Sequence, residues 1–254
     1  MRHLPENAAN SAWFETLYGE YIVAEEADVL GQWLPQLFGY RMLLLGSRLP
    51  LWEQFARQSP IRQRIWMHHS HTAELPQPDI LSRMSALPVK SDSIDLVVLF
   101  HALDTAEDPR RLIREVERIL IPEGRVILFG FNPYSLFGLW RLLGRRSSPG
   151  EMSGHLKIGS RQLKGWLSLL GLEVECQCKF AFRPPLHSPT ALDKVSFLER
   201  TGQKLWPVSG GVYAIQAVKR VATLTPFRPS FLWRRRFSTN GVAAPTTRGM
   251  HDDC

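Results

Sequence analysis

Apolar positions along this chain follow two rhythms, one of strands and one of helices. Residues 94–100, IDLVVLF, form a near-continuous apolar run, as a parallel strand covered on both faces requires. Leu112, Val116, Ile119 and Leu120 then recur at helical spacing. Asp108 can cap that helix and Pro109 suits its first position. Pro122, Glu123 and Gly124 predict a turn, and residues 125–131 predict a second buried strand. Residues 91–133 thus read as a strand–helix–strand unit. Ligands of open parallel sheets sit at the carboxyl ends of the strands. His101, Asp104, Glu107 and Asp108 gather where the first of these strands ends.

The same rhythms extend outward. Residues 10–38 read as helical, with Trp13, Phe14, Leu17, Tyr21, Val29, Leu30, Trp33, Leu34 and Leu37 as apolar positions. Residues 41–45 predict a strand stopped by Gly46 and Ser47, and residues 51–57 a short helix. Residues 64–67 and 81–84 are weaker strand candidates. Ser160 predicts a helix cap, with Leu163, Trp166, Leu167 and Leu170 on one face and Gly171 closing the helix. Residues 172–182 alternate, which places Cys176 and Cys178 on one face with Val174 and Phe180. Residues 191–205 read as a helix and residues 212–218 as a last strand. Alternating helices and strands predict an α/β fold with a mostly parallel sheet.

Charge separates the chain into two parts. Residues 219–254 carry seven basic and two acidic groups, so most of the net +7 lies there. Residues 1–222 are expected to form one domain with an N-terminal helical extension, and residues 223–254 a basic, disordered tail. The near-neutral domain argues against a large polyanionic substrate. The tail segment Trp233, Arg234, Arg235, Arg236 and Phe237 could touch RNA or anionic lipid, but such runs are more often solvated faces. Three cysteines make no disulfide framework and fit a reducing cytoplasm. The first dozen residues lack the apolar core of a signal peptide, and no apolar run is long enough for a membrane helix. A cytoplasmic protein is expected.

Residues 86–128 resemble the central third of class I S-adenosylmethionine-dependent methyltransferases. The resemblance rests on Leu87-Pro88, Asp95-Leu96-Val97, His101-Ala102-Leu103-Asp104, Asp108-Pro109 and the turn from Leu120 to Gly124. It extends more loosely over residues 11–221. The opening resembles a bacterial methyltransferase-like subgroup with a degenerate glycine-rich loop. This resemblance implies a seven-stranded, mostly parallel Rossmann-like sheet in the order 3-2-1-4-5-7-6, strand seven antiparallel, with helices on both faces. It also implies S-adenosyl-L-methionine as cofactor and methyl transfer to an acceptor.

The family's acidic-x-Gly-x-Gly loop is stripped down here. Only Gly46 remains, Leu44 stands where an acid is usual, and Arg48 and Leu49 are bulky. Strand two ends in Met67-His68-His69-Ser70-His71, with no carboxylate before Glu74. Backbone contacts tolerate substitution, so the resemblance implies a variant cofactor site. Gly46, Ser47 and His68 would serve it from strands one and two, and Ser85, Ala86 and Leu87 from the following turn. Phe100, His101 and Asp104 would serve it from strand four. Asn132 and Tyr134, leaving a strand's carboxyl end, and His155, in a glycine-flanked loop, are candidates for the substrate rim. No residue stands out as a general base. His68, His69 and His71 lack the further ligands of a metal site and read as an exposed polar loop. Trp13, Tyr18 and Tyr21 could line a lid, though core packing explains them as well. The expected activity is methyl transfer to a small molecule. The alternatives are a catalytically degenerate interaction protein using its tail, or a methyltransferase acting on RNA or protein.

Overall fold

The computed structural model describes residues 13–14, 16–46, 59–68, 79–135, 138, 158–184 and 209–221, all within the compact unit Met1–Val221. The helices expected at 51–57 and 191–205, and the basic tail, lie outside the described residues.

Seven strands form one sheet among these residues: β1 (Arg41–Gly46), β2 (Gln63–His68), β3 (Ile80–Leu81), β4 (Ile94–Phe100), β5 (Leu120–Phe131), β6 (Leu172–Phe180) and β7 (Val212–Lys219). Their order is β3-β2-β1-β4-β5-β7-β6. The first five run parallel, and β7 is antiparallel to both β5 and β6. This is the order the resemblance implied.

Side-chain alternation sends neighbouring residues of each central strand to opposite faces. Met42, Leu44, Leu96, Val98, Phe100, Ile127 and Phe129 pack under helix α1 (Leu17–Trp33). Leu43, Leu45, Val97, Leu99, Val126 and Leu128 pack under α3 (Pro109–Ile119) and α4 (Ser160–Leu169). Both faces are covered, so residues 42–45, 96–100 and 126–129 are apolar. A short helix α2 (Ala102–Thr105) lies between β4 and α3.

Helix α1 is capped by Thr16, whose Oγ1 accepts from the Gly19 N–H at 3.2 Å. Pro35 follows it, and a 3₁₀ turn (Leu34–Gln36) ends the helical segment. Its buried stripe is Tyr18, Ile22, Glu26 and Leu30; of the expected apolar positions Leu30 lies in it, and Leu17, Tyr21 and Val29 pack partly buried at its edge. Ile22 and Leu30 are fully buried, each contributing roughly 1.5–3 kcal/mol. Helix α3 begins as expected: Asp108 Oδ1 accepts from the Arg111 N–H at 3.0 Å, with Pro109 at the first position. Helix α4 differs. Gly159 is its N-cap and Ser160 its first helical residue, with no side-chain cap.

Strand β6 corrects the cysteine reading. Its pairing with β7 shifts between Val174 and Cys176, the mark of a bulge. One extra residue inverts the parity of everything beyond it. Leu172 and Val174 face the layer of α3 and α4, whereas Cys178 and Phe180 face the layer of α1. Cys176 is exposed and Cys178 only partly covered. Burial pushes the Cys178 thiol up to about 11, which keeps it protonated and inert near neutrality.

Candidate functional site

Strand β1 ends in a turn that only glycine fits. Gly46 has φ +106°, and a Cβ there would overlap the Phe100 carbonyl oxygen and lie 3.2 Å from Ala102 Cβ. The exits of β1 and β4 therefore touch backbone to backbone. The buried indole N–H of Trp66, on β2, donates to the Gly46 carbonyl at 3.2 Å and fixes the chain's departure. Asp79 in turn accepts from the Trp66 backbone N–H at 2.7 Å. Ser47 lies outside the described residues. His68 ends β2 as a buried side chain, not as part of an exposed loop, while His69 and His71 lie outside the described residues. No group of three or more metal-ligating side chains occurs among the described residues.

The turn before β4 is tied to α3. Arg111 Nε donates to the Ser85 carbonyl at 2.9 Å, and Glu115 Oε2 accepts from the Leu87 N–H at 2.9 Å. Arg118 Nη2 donates to the Leu87 carbonyl at 3.0 Å. Hydrogen bonding to Arg118 is the largest influence on the Glu115 carboxyl, and holds it below its usual range. Between this turn and the start of α3 lies a cleft of about 460 Å³, lined by Arg83, Met84, Ser85, Thr105, Ala106 and Glu107, with Asp108. Ser85 is half-buried, Ala86 exposed and Leu87 buried. Met84 and Ala106 give the cleft apolar walls and Ser85 and Thr105 polar ones, a lining suited to a flat, hydrogen-bonding ring.

Phe100 and His101 turn inward. Phe100 is buried and stacks on Phe129 at 5.1 Å. His101 takes a left-handed conformation, φ 50°, at the head of α2. Its side chain is 1% exposed, so the imidazole is sealed in the interior and His101 does not line the cleft. Nδ1 lies 3.0 Å from Asp104 Oδ2 and Nε2 lies 2.6 Å from Glu26 Oε1. The ring stacks on Phe131 at 4.0 Å, with Phe14 5.5 Å away. Asp104 Oδ2 also accepts from the Phe131 N–H at 3.1 Å. Carboxylates only accept, so both ring nitrogens can donate only in the imidazolium form. Burial alone would lower the His101 pKa, but the Glu26 charge and the hydrogen bonds to Asp104 and Glu26 outweigh it and hold it at about 9. One cation thus lies between two buried carboxylates. Glu26 Oε2 and Asp104 Oδ1 have no hydrogen-bond partner among the described residues.

At the β5 exit, Asn132 is buried and structural. Its side-chain amide donates to the Gly210 carbonyl at 2.9 Å, and its Oδ1 accepts from the Tyr134 N–H at 3.2 Å. Tyr134 is 79% exposed, and its ring lies against Gly159. His155 lies outside the described residues. Trp13 packs edge-on against Phe131 at 5.5 Å. Tyr18 donates to the Arg183 carbonyl at 2.9 Å, and the Arg183 guanidinium stands over the Tyr21 ring. These aromatics are packed core and collar, which pins the start of α1 beside the β4 and β5 exits.

Sequence reasoning missed Glu26 and Trp66. Glu26 had a signal: it lies at i+4 from Ile22 and i−4 from Leu30, inside the apolar stripe. An acid in that register must find a partner or pay a large desolvation cost. Trp66 reads as an ordinary strand aromatic, and nothing in the sequence points its N–H at Gly46.

Sheet order, glycine turn and cleft together define a class I methyltransferase fold. The methyltransferase domain family model matches residues 65–128. An uncharacterized protein YafS of Escherichia coli K12 is 29% identical over 178 residues, covering 69% of this chain and 70% of that one. A malonyl-[acyl-carrier protein] O-methyltransferase of Halorhodospira halophila is 32% identical over 88 residues, 34% of this chain and 30% of that one. In fold, the chain resembles the S-adenosylmethionine-dependent methyltransferase of Mesorhizobium loti, with a TM-score of 0.53, 17% identity, and coverage of 77% of this chain and 99% of that one. The domain match and the shared fold support a class I S-adenosylmethionine-dependent methyltransferase, and S-adenosyl-L-methionine is the cofactor they imply. No described helix is long and apolar enough to cross a membrane.

Proposed function

We propose that this chain transfers the methyl group of S-adenosyl-L-methionine to a small-molecule acceptor in the cytoplasm. The close approach of Gly46 to the Phe100 carbonyl carries the reading, because it builds a glycine-only turn where β1 and β4 end, and ligands of open parallel sheets sit at those strand ends. The donor set also fits. The backbone at Gly46, His101 and Ala86 would face the cofactor, with Ser85 and Thr105 in the adjacent cleft. The cofactor supplies an electrophilic methyl on a sulfonium.

The chain's own residues then orient and exclude water. Trp66 and Phe100 hold the Gly46 turn, and α3 holds the Ser85–Leu87 turn through Arg111, Glu115 and Arg118. His101 is not a base, since at neutral pH it already carries its proton. Tyr213 is not one either: burial raises its pKa well above normal, and its hydroxyl donates to the Ile158 carbonyl at 3.1 Å. An acceptor with a free lone pair needs no base, and positioning alone then supplies most of the rate. Tyr134, exposed at the β5 exit, is the residue best placed to meet that acceptor.

Isothermal titration with S-adenosylmethionine and S-adenosylhomocysteine tests the reading. Saturable binding is expected for the full chain, and Gly46→Val should weaken it at least about tenfold by obstructing the turn. Absence of heat and of any thermal shift at millimolar ligand would remove the proposal.

A further inference from the structure

We infer that Glu26, acting through the His101 ring, is a positioning residue for the cofactor cleft. It locks the turn after β4 onto α1 and β5. This rests on the methyltransferase reading above. Three elements meet at one imidazole. Glu26 comes from α1, Asp104 from the turn itself, and the Phe131 N–H joins the network from β5 through Asp104 Oδ2. The backbone of His101 is left-handed and its N–H donates to the Phe129 carbonyl at 3.2 Å, so the turn has a strained geometry held from several sides. The same residue abuts Phe100, whose carbonyl meets Gly46. Glu26 therefore sits one side chain away from the backbone that would border the ligand.

A role in stability alone leaves one feature unexplained. A well-packed apolar trio would hold α1 to the sheet at least as well as a buried ionic one. The network instead places two carboxylates on one ring and leaves an oxygen of each without a partner among the described residues. Glu26 and Asp104 are the charged groups facing the ring, and Phe131 and Phe14 cover it with apolar surface. Tyr213, from β7, is the further titratable group near Asp104. Loss of the ring proton turns one nitrogen's lone pair against a carboxylate and must release either Glu26 or Asp104. Either release frees the turn. The ionised and released forms are two discrete arrangements, and a ligand that needs the held turn favours the ionised one.

The test uses reciprocal linkage, which a purely structural role does not produce. The His101 imidazole, identified by its through-space contacts to Phe131 and Phe14, is titrated by NMR in the full chain with and without saturating S-adenosylhomocysteine. Affinity for the same ligand is measured calorimetrically from pH 6.5 to 9.5, in the natural protein and in Glu26→Gln. Saturation should raise the His101 titration by roughly one pH unit, and affinity should fall roughly threefold by pH 9.5, the first part of a roughly tenfold loss completed above both titrations. Glu26→Gln should bind roughly tenfold more weakly at pH 7 and lose most of that pH dependence. If Glu26→Gln does not fold, the titration of the natural protein decides. Ligand binding with an unmoved His101 titration and pH-independent affinity overturns the positioning role while leaving the methyltransferase reading intact. No binding at any pH overturns both.

Discussion

At the amino end of β4 and β5, the Lys219 ammonium meets Asp92 at 2.9 Å and Glu117 at 3.1 Å. It also donates to the carbonyls of Glu117 and Leu120. Arg220 beside it pairs with Glu123 and Glu173. At the carboxyl end of the same strands, one imidazolium serves two carboxylates, and two of their oxygens have no partner among the described residues. The first cluster is redundant, and its acids reach solvent. The second is dry, and each imidazole nitrogen has a single carboxylate partner. A redundant cluster can lose a member and still hold. A dry one with one partner per nitrogen couples its elements tightly, so a small change in protonation is felt at all of them. The contrast matches where the two clusters sit: the sheet closes at its amino end and the candidate cleft opens at the other.

The sharpest way to break this comparison is to remove a member from each end. His101→Ala leaves Glu26 and Asp104 buried without a counter-charge and should cost about 3–5 kcal/mol in urea unfolding. A loss under about 1 kcal/mol would show that the carboxylates are wetter than the geometry implies.

The pH dependence sharpens the same contrast. The folded His101 pKa of about 9 lies above the ordinary 6.5. Its contribution is therefore complete below pH 6.5, declines between 6.5 and 9, and is gone above 9. Urea midpoints measured at pH 6.5 and 9.5 should differ by on the order of 3 kcal/mol of stability. Equal midpoints would mean that the ring is not held as a cation.

Arg220→Gln should change the midpoint least of all. Its head group is at the surface, and Lys219 continues to hold the same end of the sheet. An effect as large as that of His101→Ala would erase the distinction between the ends.

The central strands were legible because burial on both faces leaves continuous apolar runs, as in residues 94–100 and 41–45. Helix α3 was legible from its cap, since Asp108-Pro109 is a start signal of two independent parts. The sheet order came from the family resemblance, as periodicity alone does not order strands. The site was legible only in outline. Gly46 and the region of His101 were found, but that His101 faces inward depends on a left-handed backbone angle that no spacing encodes. Likewise, the alternation of residues 172–182 is real in the sequence, yet a bulge breaks its meaning in the structure. Trp66 illustrates the general limit: which acceptor an N–H reaches is a tertiary fact.

That bulge has a wider consequence. The border ribbon β6 reports to both helical layers, its first half to α4 and its second half to α1. It works as a stitch through the sheet's margin: the extra residue, Glu175, lets the strand change layers while its pairing to β7 continues on either side. One unpaired position thus lets a margin strand serve both helical layers.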